Sequence, residues 1–147
     1  MHLERIEEIM TTDVETVGLN ETIYDVAVKM KELNVGAIPV VDGDHLVGIV
    51  TDRDIVIRGL AENVPATESV QKVMTSDVIT IKPEQTIRHA VHLMARHQIR
   101  RLPVVKDDKL VGIVALGDLA VREEADSQAK TALSEISEPV RSYDFLQ

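Results

Sequence analysis

The chain has 147 residues, 44% of them hydrophobic, and a formal net charge of −9. This length and apolar content suffice for a folded domain with a real core, and two Tyr, one Phe and no Trp leave that core to aliphatic side chains. An acidic chain with no basic run and few aromatic rings lacks the features that bind nucleic acid. We therefore expect no nucleic-acid partner.

The cysteine count and the opening stretch bear on the compartment. No cysteine is present, which excludes disulfides and thiolate metal sites and is typical of a reducing compartment. The sequence "MHLERIEEIM" has neither the basic start nor the apolar run of a secretory signal. No stretch approaches the roughly 20 apolar residues of a membrane helix. We expect a cytoplasmic protein with no membrane partner.

The chain is two copies of one unit. Pairing each residue i with residue i+64 aligns 9–59 with 73–123 without a gap, and roughly a third of the pairs are identical. This duplication predicts a first repeat at 9–62 and a second repeat at 73–124. The tail, 125–147, has no counterpart in the repeat, and we expect a peripheral helix there.

The elements of each repeat follow from local patterns. The β-branched stretch "DVETV", or "DVITI" in the second copy, predicts a short strand. A helix follows, with Thr22 and Thr86 as N-caps and aliphatic residues at helical spacing along one face. Two apolar strands, "AIPVV" and "LVGIV" in the first copy, predict a β-hairpin because a tight polar turn joins them. A second helix then runs to about Leu60 or Glu124.

The predicted order in each repeat is β-α-β-β-α, so the fold class is α/β, in the α+β sense, with two pseudo-symmetric repeats. A unit of about 50 residues buries too little surface to be very stable alone. The link "AENVPATESV" is short enough to keep the copies adjacent. We expect the two repeats to pack as one module.

The residues shared by the copies resemble a tandem cystathionine-β-synthase (CBS) domain pair, also called a Bateman module. The resemblance covers residues 9–124 and rests on the duplicated "MT.DV.T" opening, the "PVV" and "LVGIV" strands, and "GIVTDRD". The last stretch matches the family's nucleotide motif, Gly-hydrophobic-any-Thr/Ser-any-any-Asp/Asn. The resemblance implies a non-catalytic regulatory module that binds AMP, ADP, ATP or S-adenosylmethionine in the cleft between the repeats. It also implies a homodimer that signals to a protein target or buffers its ligand.

The chemistry of "GIVTDRD" agrees with that motif. Gly48 has no side chain, so a ligand can approach the backbone, and Thr51 lies where a strand turns into a helix, where it can cap the helix or donate to a phosphate. Asp54 offers two acceptor oxygens that suit the hydroxyls of a ribose. The resemblance implies phosphate at Thr51 and ribose at Asp54. The base is then expected among residues of the first two strands: Thr16, Val17, Ile38, Pro39 and Val40.

The second copy keeps Asp118 as a ribose position but has Ala115 where the first copy has Thr51. A hydrogen bond to a charged group contributes roughly 1.5 to 3 kcal/mol. We therefore predict one strong site and a second that is weak or empty. The alternative is that Thr51 is only a helix cap and that both copies are structural.

A phosphate also needs a cation, and the second copy reads "RRLPVV" where the first reads "GAIPVV". Arg101, or its neighbour Arg100, is expected to reach across the cleft to the phosphate, as an arginine at this position does in some CBS pairs. Arg53 and Arg58 lie nearer in sequence. The alternative is that each of these arginines is simply exposed on an acidic protein.

Metal binding and catalysis are not favoured. His89 and His92 lie on the solvent side of their predicted helix and lack further ligands. Asp52 and Asp54 do not share a helix face, and no general base, activated nucleophile or phosphate loop accompanies them. We expect no metal and no enzyme. The competing hypothesis is a ligand-free structural or adaptor dimer that acts through protein contacts.

Overall fold

A computed structural model describes residues 4–120. The chain divides into two compact units. The first-repeat unit comprises Val14–Val78 and Asp107–Leu110, and the second-repeat unit comprises Ile79–Lys106 with the described parts of Met1–Asp13 and Val111–Gln147. The predicted tail, 125–147, and the predicted end of the last helix near Glu124 lie outside the described residues.

The first repeat has the predicted order β-α-β-β-α, and the second repeat has the same order with its first strand reduced to a single bridge, which confirms the mixed α/β class. The helices are α1 (Ile6–Ile9), α2 (Ile23–Leu33), α3 (Asp52–Asp54), α4 (Ile87–His97) and α5 (Leu116–Ala120). The strands are β1 (Val17–Gly18), β2 (Ala37–Asp42), β3 (His45–Thr51), β4 (Arg101–Lys106) and β5 (Lys109–Ala115). Helix α3 continues into a π-helical turn (Ile55–Gly59) and a 3-10 turn (Leu60–Glu62), and another 3-10 turn covers Val70–Lys72.

The first helix of each repeat begins at the N-cap that its sequence predicts. The hydroxyls of Thr22 and Thr86 each accept the backbone N–H three residues further on, at 3.1 and 3.2 Å, and so cap α2 and α4. Both helices end at a residue in the left-handed region, Asn34 with φ 55° and Gln98 with φ 54°. These termini fix the length of each helix at 11 residues.

Two predicted elements differ from the structure: the first strand of each repeat is shorter than predicted, and the second helix of the first repeat is less regular. The first predicted strand contracts to Val17–Gly18, which runs parallel to β2, and in the second repeat only Ile81 pairs, with Val104. The second helix of the first repeat is not one continuous α-helix. Its hydrogen bonding widens to a π-turn before Leu60, and the helical stretch ends at Asn63, which has φ 58°.

Each unit buries an aliphatic core, as expected for a chain with so few aromatic rings. No polar or charged residue is buried among the described residues. The core of the first-repeat unit consists of Val17, Ile23, Val26, Met30, Ile38, Val40, Val50, Val70 and Val73. The core of the second-repeat unit consists of Ile6, Ile81, Ile87, Ala90, Val91, Met94, Leu102, Val104, Val114, Leu116 and Leu119.

The compact units are offset from the sequence repeats. Thr75, from the opening of the second repeat, exchanges two backbone hydrogen bonds with Ile49 of β3, at 2.8 and 2.9 Å. Thr11, from the opening of the first repeat, does the same with Ile113 of β5, at 2.9 Å each way. The Met-Thr segment that opens one repeat therefore packs in the unit built around the other.

Candidate functional site

The junction between β3 and α3 holds the two central residues of the predicted nucleotide motif. The Thr51 hydroxyl accepts the Asp54 backbone N–H at 3.0 Å, and Asp54 Oδ2 accepts the Thr51 backbone N–H at 3.1 Å. This reciprocal arrangement is a capping box, and it fixes both side chains relative to the end of the strand. The Asp54 side chain keeps 17% of its surface exposed.

Three adjacent strands carry the other predicted residues of the first repeat. Strand β2 lies between β1, with Val17 beside Val40, and β3, with Val40 beside Gly48. The same antiparallel register places Ala37 beside Thr51. The sheet therefore brings Thr16, Val17, Ile38, Pro39, Val40 and Gly48 into the same unit as Thr51 and Asp54.

The pleat of the sheet divides these residues between two faces. Ile38 and Val40 are 1% and 0% exposed because they point into the core, so they can offer a ligand only backbone atoms. Alternate residues of a strand point to opposite faces. Pro39 and Ala37 therefore share the face of Thr51, and Ala37 is a neighbour of Thr51 that the sequence reasoning missed.

Gly48 packs closely against the segment that opens the second repeat. A Cβ at this position would lie 2.8 Å from Met74 Sδ and 2.9 Å from the Thr75 carbonyl oxygen. The glycine thus accommodates the Met-Thr segment on the side where a Cβ would lie. The approach of a ligand to its backbone, expected from the sequence, stays a prediction. Gly112 in the second-repeat unit accommodates Met10 in the same way, with a Cβ position 2.7 Å from Met10 Sδ.

Lys29 is a second neighbour of the site that sequence reasoning missed. Its ammonium group donates to the Thr16 carbonyl oxygen at 2.8 Å in a partly buried position. The contact occupies one backbone acceptor at the start of β1 and places a cation there. The counterpart of Lys29 in the second repeat is Leu93. A charged residue in one copy where the other has an apolar one was the sequence signal that could have identified Lys29.

The second-repeat unit builds the same junction without the hydroxyl. The Leu116 N–H donates to the Arg100 carbonyl oxygen at 2.8 Å, which matches the 2.9 Å bond from the Asp52 N–H to the Gly36 carbonyl oxygen in the first. Ala115 replaces Thr51 at the end of the strand, and Asp118 is exposed. Arg101 is also exposed, at the start of β4. The expected contact of Arg101 with a phosphate stays a prediction.

The CBS domain family model matches this chain twice, at residues 6–60 and 70–123. The chain belongs to the CBS-domain family. It is 46% identical over 138 residues to YlbB of Bacillus subtilis, an alignment that covers 92% of this chain and 93% of YlbB. The resemblance proposed from the sequence is thereby confirmed.

Two solved structures of CBS-domain proteins match this fold. Hypoxic Response Protein I, solved with two coordinated zinc ions, is 34% identical with a TM-score of 0.75, covering 80% of this chain and 98% of that one. The CBS domain pair of MJ0100, solved with 5-methylthioadenosine and S-adenosyl-L-methionine, is 30% identical with a TM-score of 0.70, covering 81% and 94%. Some CBS pairs thus bind adenosine-containing ligands.

The described part of this chain offers no comparable metal cluster. No group of three or more His, Asp or Glu side chains within residues 4–120 is arranged to hold a metal ion. His89 and His92 are exposed on α4, as predicted. None of the helices in the same residues has the length and apolar character needed to cross a bilayer.

Proposed function

We propose that this protein is a non-catalytic regulatory module that binds an adenosine-containing ligand at the Thr51–Asp54 junction of its first repeat. The observation that carries the proposal is the reciprocal pairing of Thr51 and Asp54 at the end of β3. Ligand binding would change the conformation or the oligomeric state of the module, which we propose to be a cytoplasmic homodimer that signals to a protein target.

The capping box leaves both residues free to bind a ligand. A hydroxyl has one donor and two acceptor sites, and Thr51 uses an acceptor site for the Asp54 N–H, so its O–H can donate to a phosphate. Asp54 uses Oδ2 for the Thr51 N–H, which leaves Oδ1 to accept from a ribose hydroxyl. Capping the helix and binding a nucleotide are therefore compatible roles.

The base is proposed to lie against the backbone of the adjacent strands. Pro39 shares the face of Thr51, and the backbone of Thr16, Val17, Ile38 and Val40 runs beside it. We propose Arg101 as a phosphate contact and Asp118 as the ribose position of a weaker second site. Gly48 is proposed to bring its backbone to the ligand, with the Met-Thr segment packed on the side where a Cβ would lie.

The ligand classes to consider are AMP, ADP, ATP and S-adenosylmethionine, with no metal required. The bound ligands of the MJ0100 pair support an adenosyl group as the common part. Asp54 would matter for every member of this set, since each contains a ribose. Thr51 would matter only for the phosphorylated members, so that the Thr51 hydroxyl distinguishes nucleotides from S-adenosylmethionine.

The test is calorimetric titration of the purified protein with each of the four ligands, repeated on Asp54→Ala. Saturable binding that this variant loses is the expected result. Asp118→Ala removes the same carboxylate from the second repeat and is the matched control, because we expect it to change affinity much less. Thermal melting of both variants checks that neither has unfolded.

Two outcomes would count against the proposal. Equal effects of Asp54→Ala and Asp118→Ala would contradict the predicted difference between the repeats. The absence of both heat and a thermal shift with any of the four ligands would overturn the nucleotide role itself.

The second candidate is a ligand-free adaptor dimer, and an apolar surface on the first-repeat unit favours it. Val56, Ile57 and Leu60 are 51%, 48% and 75% exposed on the helical stretch that follows α3. Exposed apolar clusters often mark protein contacts. Under this alternative, Leu60→Glu changes the sedimentation behaviour of the protein, whereas Asp54→Ala changes no ligand affinity.

A further inference from the structure

Arg58 connects the helical stretch after α3 to the opening of the second repeat. Its guanidinium Nη1 lies 3.2 Å from the Val73 carbonyl oxygen, 3.0 Å from the Met74 carbonyl oxygen and 3.4 Å from the Thr75 hydroxyl. Hydrogen bonds from a charged donor are stronger than neutral ones. Nη1 carries two hydrogens, which suit the two carbonyl oxygens, and the Thr75 hydroxyl is the most distant of the three acceptors. Arg58 thus contacts three consecutive residues, Val73–Thr75, which we term the docked segment.

The same guanidinium lies beside the proposed ribose carboxylate. Arg58 Nη1 is 4.0 Å from Asp54 Oδ1, one helical turn earlier, and the Arg58 side chain is 51% exposed. At this separation the attraction is between charges and does not consume the hydrogens that Arg58 donates to the docked segment. Asp54 therefore restricts the position of Arg58 without competing for its donors.

The docked segment is part of the unit that carries the candidate site. Met74 fills the space beside Gly48, and Thr75 pairs with Ile49 in both directions. The strand that contributes Gly48 and Ile49 ends at Thr51. A substitution of Arg58 is thus expected to alter the packing of the docked segment, where the chain passes from the first repeat to the second.

We propose that Arg58 is a positioning residue that couples the Asp54 carboxylate to the docked segment. A ligand that fixes the carboxylate fixes the guanidinium as well, and the guanidinium in turn holds Val73–Thr75 more firmly. This inference deepens the proposed function and rests on it for the identity of the ligand. The coupling between Asp54 and the docked segment is a property of the ligand-free protein and is measured without any nucleotide.

The experiment is amide hydrogen exchange of the full chain, read at Thr75, whose N–H donates to the Ile49 carbonyl oxygen at 2.8 Å. Arg58→Gln removes the charged donor and is expected to speed exchange about tenfold or more. Asp54→Asn keeps the acceptor for the Thr51 N–H but removes the charge. It is expected to speed exchange only about twofold, as suits a partly exposed pair one turn apart whose charged groups are 4.0 Å from each other.

The double variant decides whether Arg58 transmits the effect of Asp54. With Arg58 already replaced by Gln, Asp54→Asn is expected to leave the exchange rate of Thr75 unchanged. Lys72→Gln is the matched control, since it removes one exposed positive charge beside the docked segment and should leave the rate as it is. Additive effects of the two substitutions would overturn the proposal.

A conservative variant separates positioning from packing. Arg58→Lys keeps the charge but not the planar fork of donors, so it should retain the dependence on Asp54 that Arg58→Gln loses. Identical behaviour of the Lys and Gln variants would overturn the proposal by assigning the effect to side-chain packing. Addition of AMP or ATP should slow amide exchange at Thr75 in the wild type. The same addition should leave the exchange rate of Thr75 unchanged in Arg58→Gln.

The two proposals fail in different ways. If no ligand binds the wild type, the proposed function fails, and the ligand-free rates still support or overturn the coupling through Arg58. If a nucleotide binds and Asp54→Ala abolishes binding while the exchange effects are additive, the proposed function stands and the role of Arg58 is overturned.

Discussion

In the first-repeat unit the strand before the second helix ends at Thr51, whose hydroxyl and backbone exchange hydrogen bonds with Asp54. In the second-repeat unit the equivalent strand ends at Ala115, which has no hydroxyl to offer Asp118. Both units nonetheless close the junction with the same backbone bond, at 2.9 and 2.8 Å. The fold of a repeat therefore does not need the threonine hydroxyl, and this strengthens the case for a ligand role at Thr51.

The glycine of each hairpin provides the opposite comparison. Gly48 and Gly112 both face a methionine side chain and a backbone carbonyl oxygen at 3.0 Å or less from the position of a Cβ. Here the two units agree in every contact, because close packing permits no larger residue. The position that packs is thus the same in both copies, whereas the position that differs has the chemistry to bind a ligand.

The largest effect on stability is expected at these glycines. Gly48→Ala and Gly112→Ala should each lower the free energy of unfolding by about 1 to 3 kcal/mol, because the added methyl group overpacks a site that includes backbone. Thermal and urea unfolding measure this loss. Gly117→Ala is the control, since within residues 4–120 no atom beyond its chain neighbours and the backbone of its own helix lies within 4 Å of its Cβ position. An unchanged melting temperature in Gly48→Ala would contradict the close packing.

An intermediate effect is expected at the position where the copies differ. Thr51→Ala removes a helix cap and should lower the free energy of unfolding by about 1 kcal/mol, with about tenfold or more weaker binding of phosphorylated ligands. Unfolding and calorimetry measure the two losses separately.

The reverse exchange sharpens the same comparison. Ala115→Thr supplies a hydroxyl one turn before Asp118 and should raise the free energy of unfolding by an amount of similar size. If a second ligand equivalent then binds, the threonine hydroxyl is what separates the two sites. Unchanged stability in both exchanges would show that neither hydroxyl caps its helix.

The smallest effect is expected at the helix ends. Asn34 and Gln98 both adopt the left-handed conformation, with φ 55° and 54°, and asparagine tolerates this region better than glutamine does. Gln98→Gly should therefore raise the melting temperature, by an amount that corresponds to about 1 kcal/mol or less. Asn34→Gly should change it less. A larger gain at Asn34 would contradict this ranking.

Local features of the fold were predictable from the sequence. The caps at Thr22 and Thr86 and the two hairpins follow from patterns within a dozen residues, and the gapless repeat made each copy a check on the other. The capping residues of the candidate site, Thr51 and Asp54, were identified for the same reason. They lie three positions apart at a strand end, and their pairing needs no distant part of the chain.

Long-range contacts could not be predicted in this way. Lys29 reaches Thr16 across 13 positions, and Arg58 reaches Met74 across 16. Neither pair leaves a periodic signal, because each depends on how separate elements pack. The packing of Met74 against Gly48 did leave a signal, since the methionine and the glycine are both identical between the copies, but identity alone did not say that they touch.

The offset between repeat and compact unit has a consequence for the gene. A deletion that removes the second repeat, 73–124, also removes Met74, which fills the space beside Gly48 in the surviving half. A deletion of the first repeat, 9–62, removes Met10 and leaves Gly112 in the same condition. Neither half of the duplicated coding sequence therefore specifies a complete packing unit. A mutation in the opening of one repeat is expected to disturb the packing of the unit built around the other repeat.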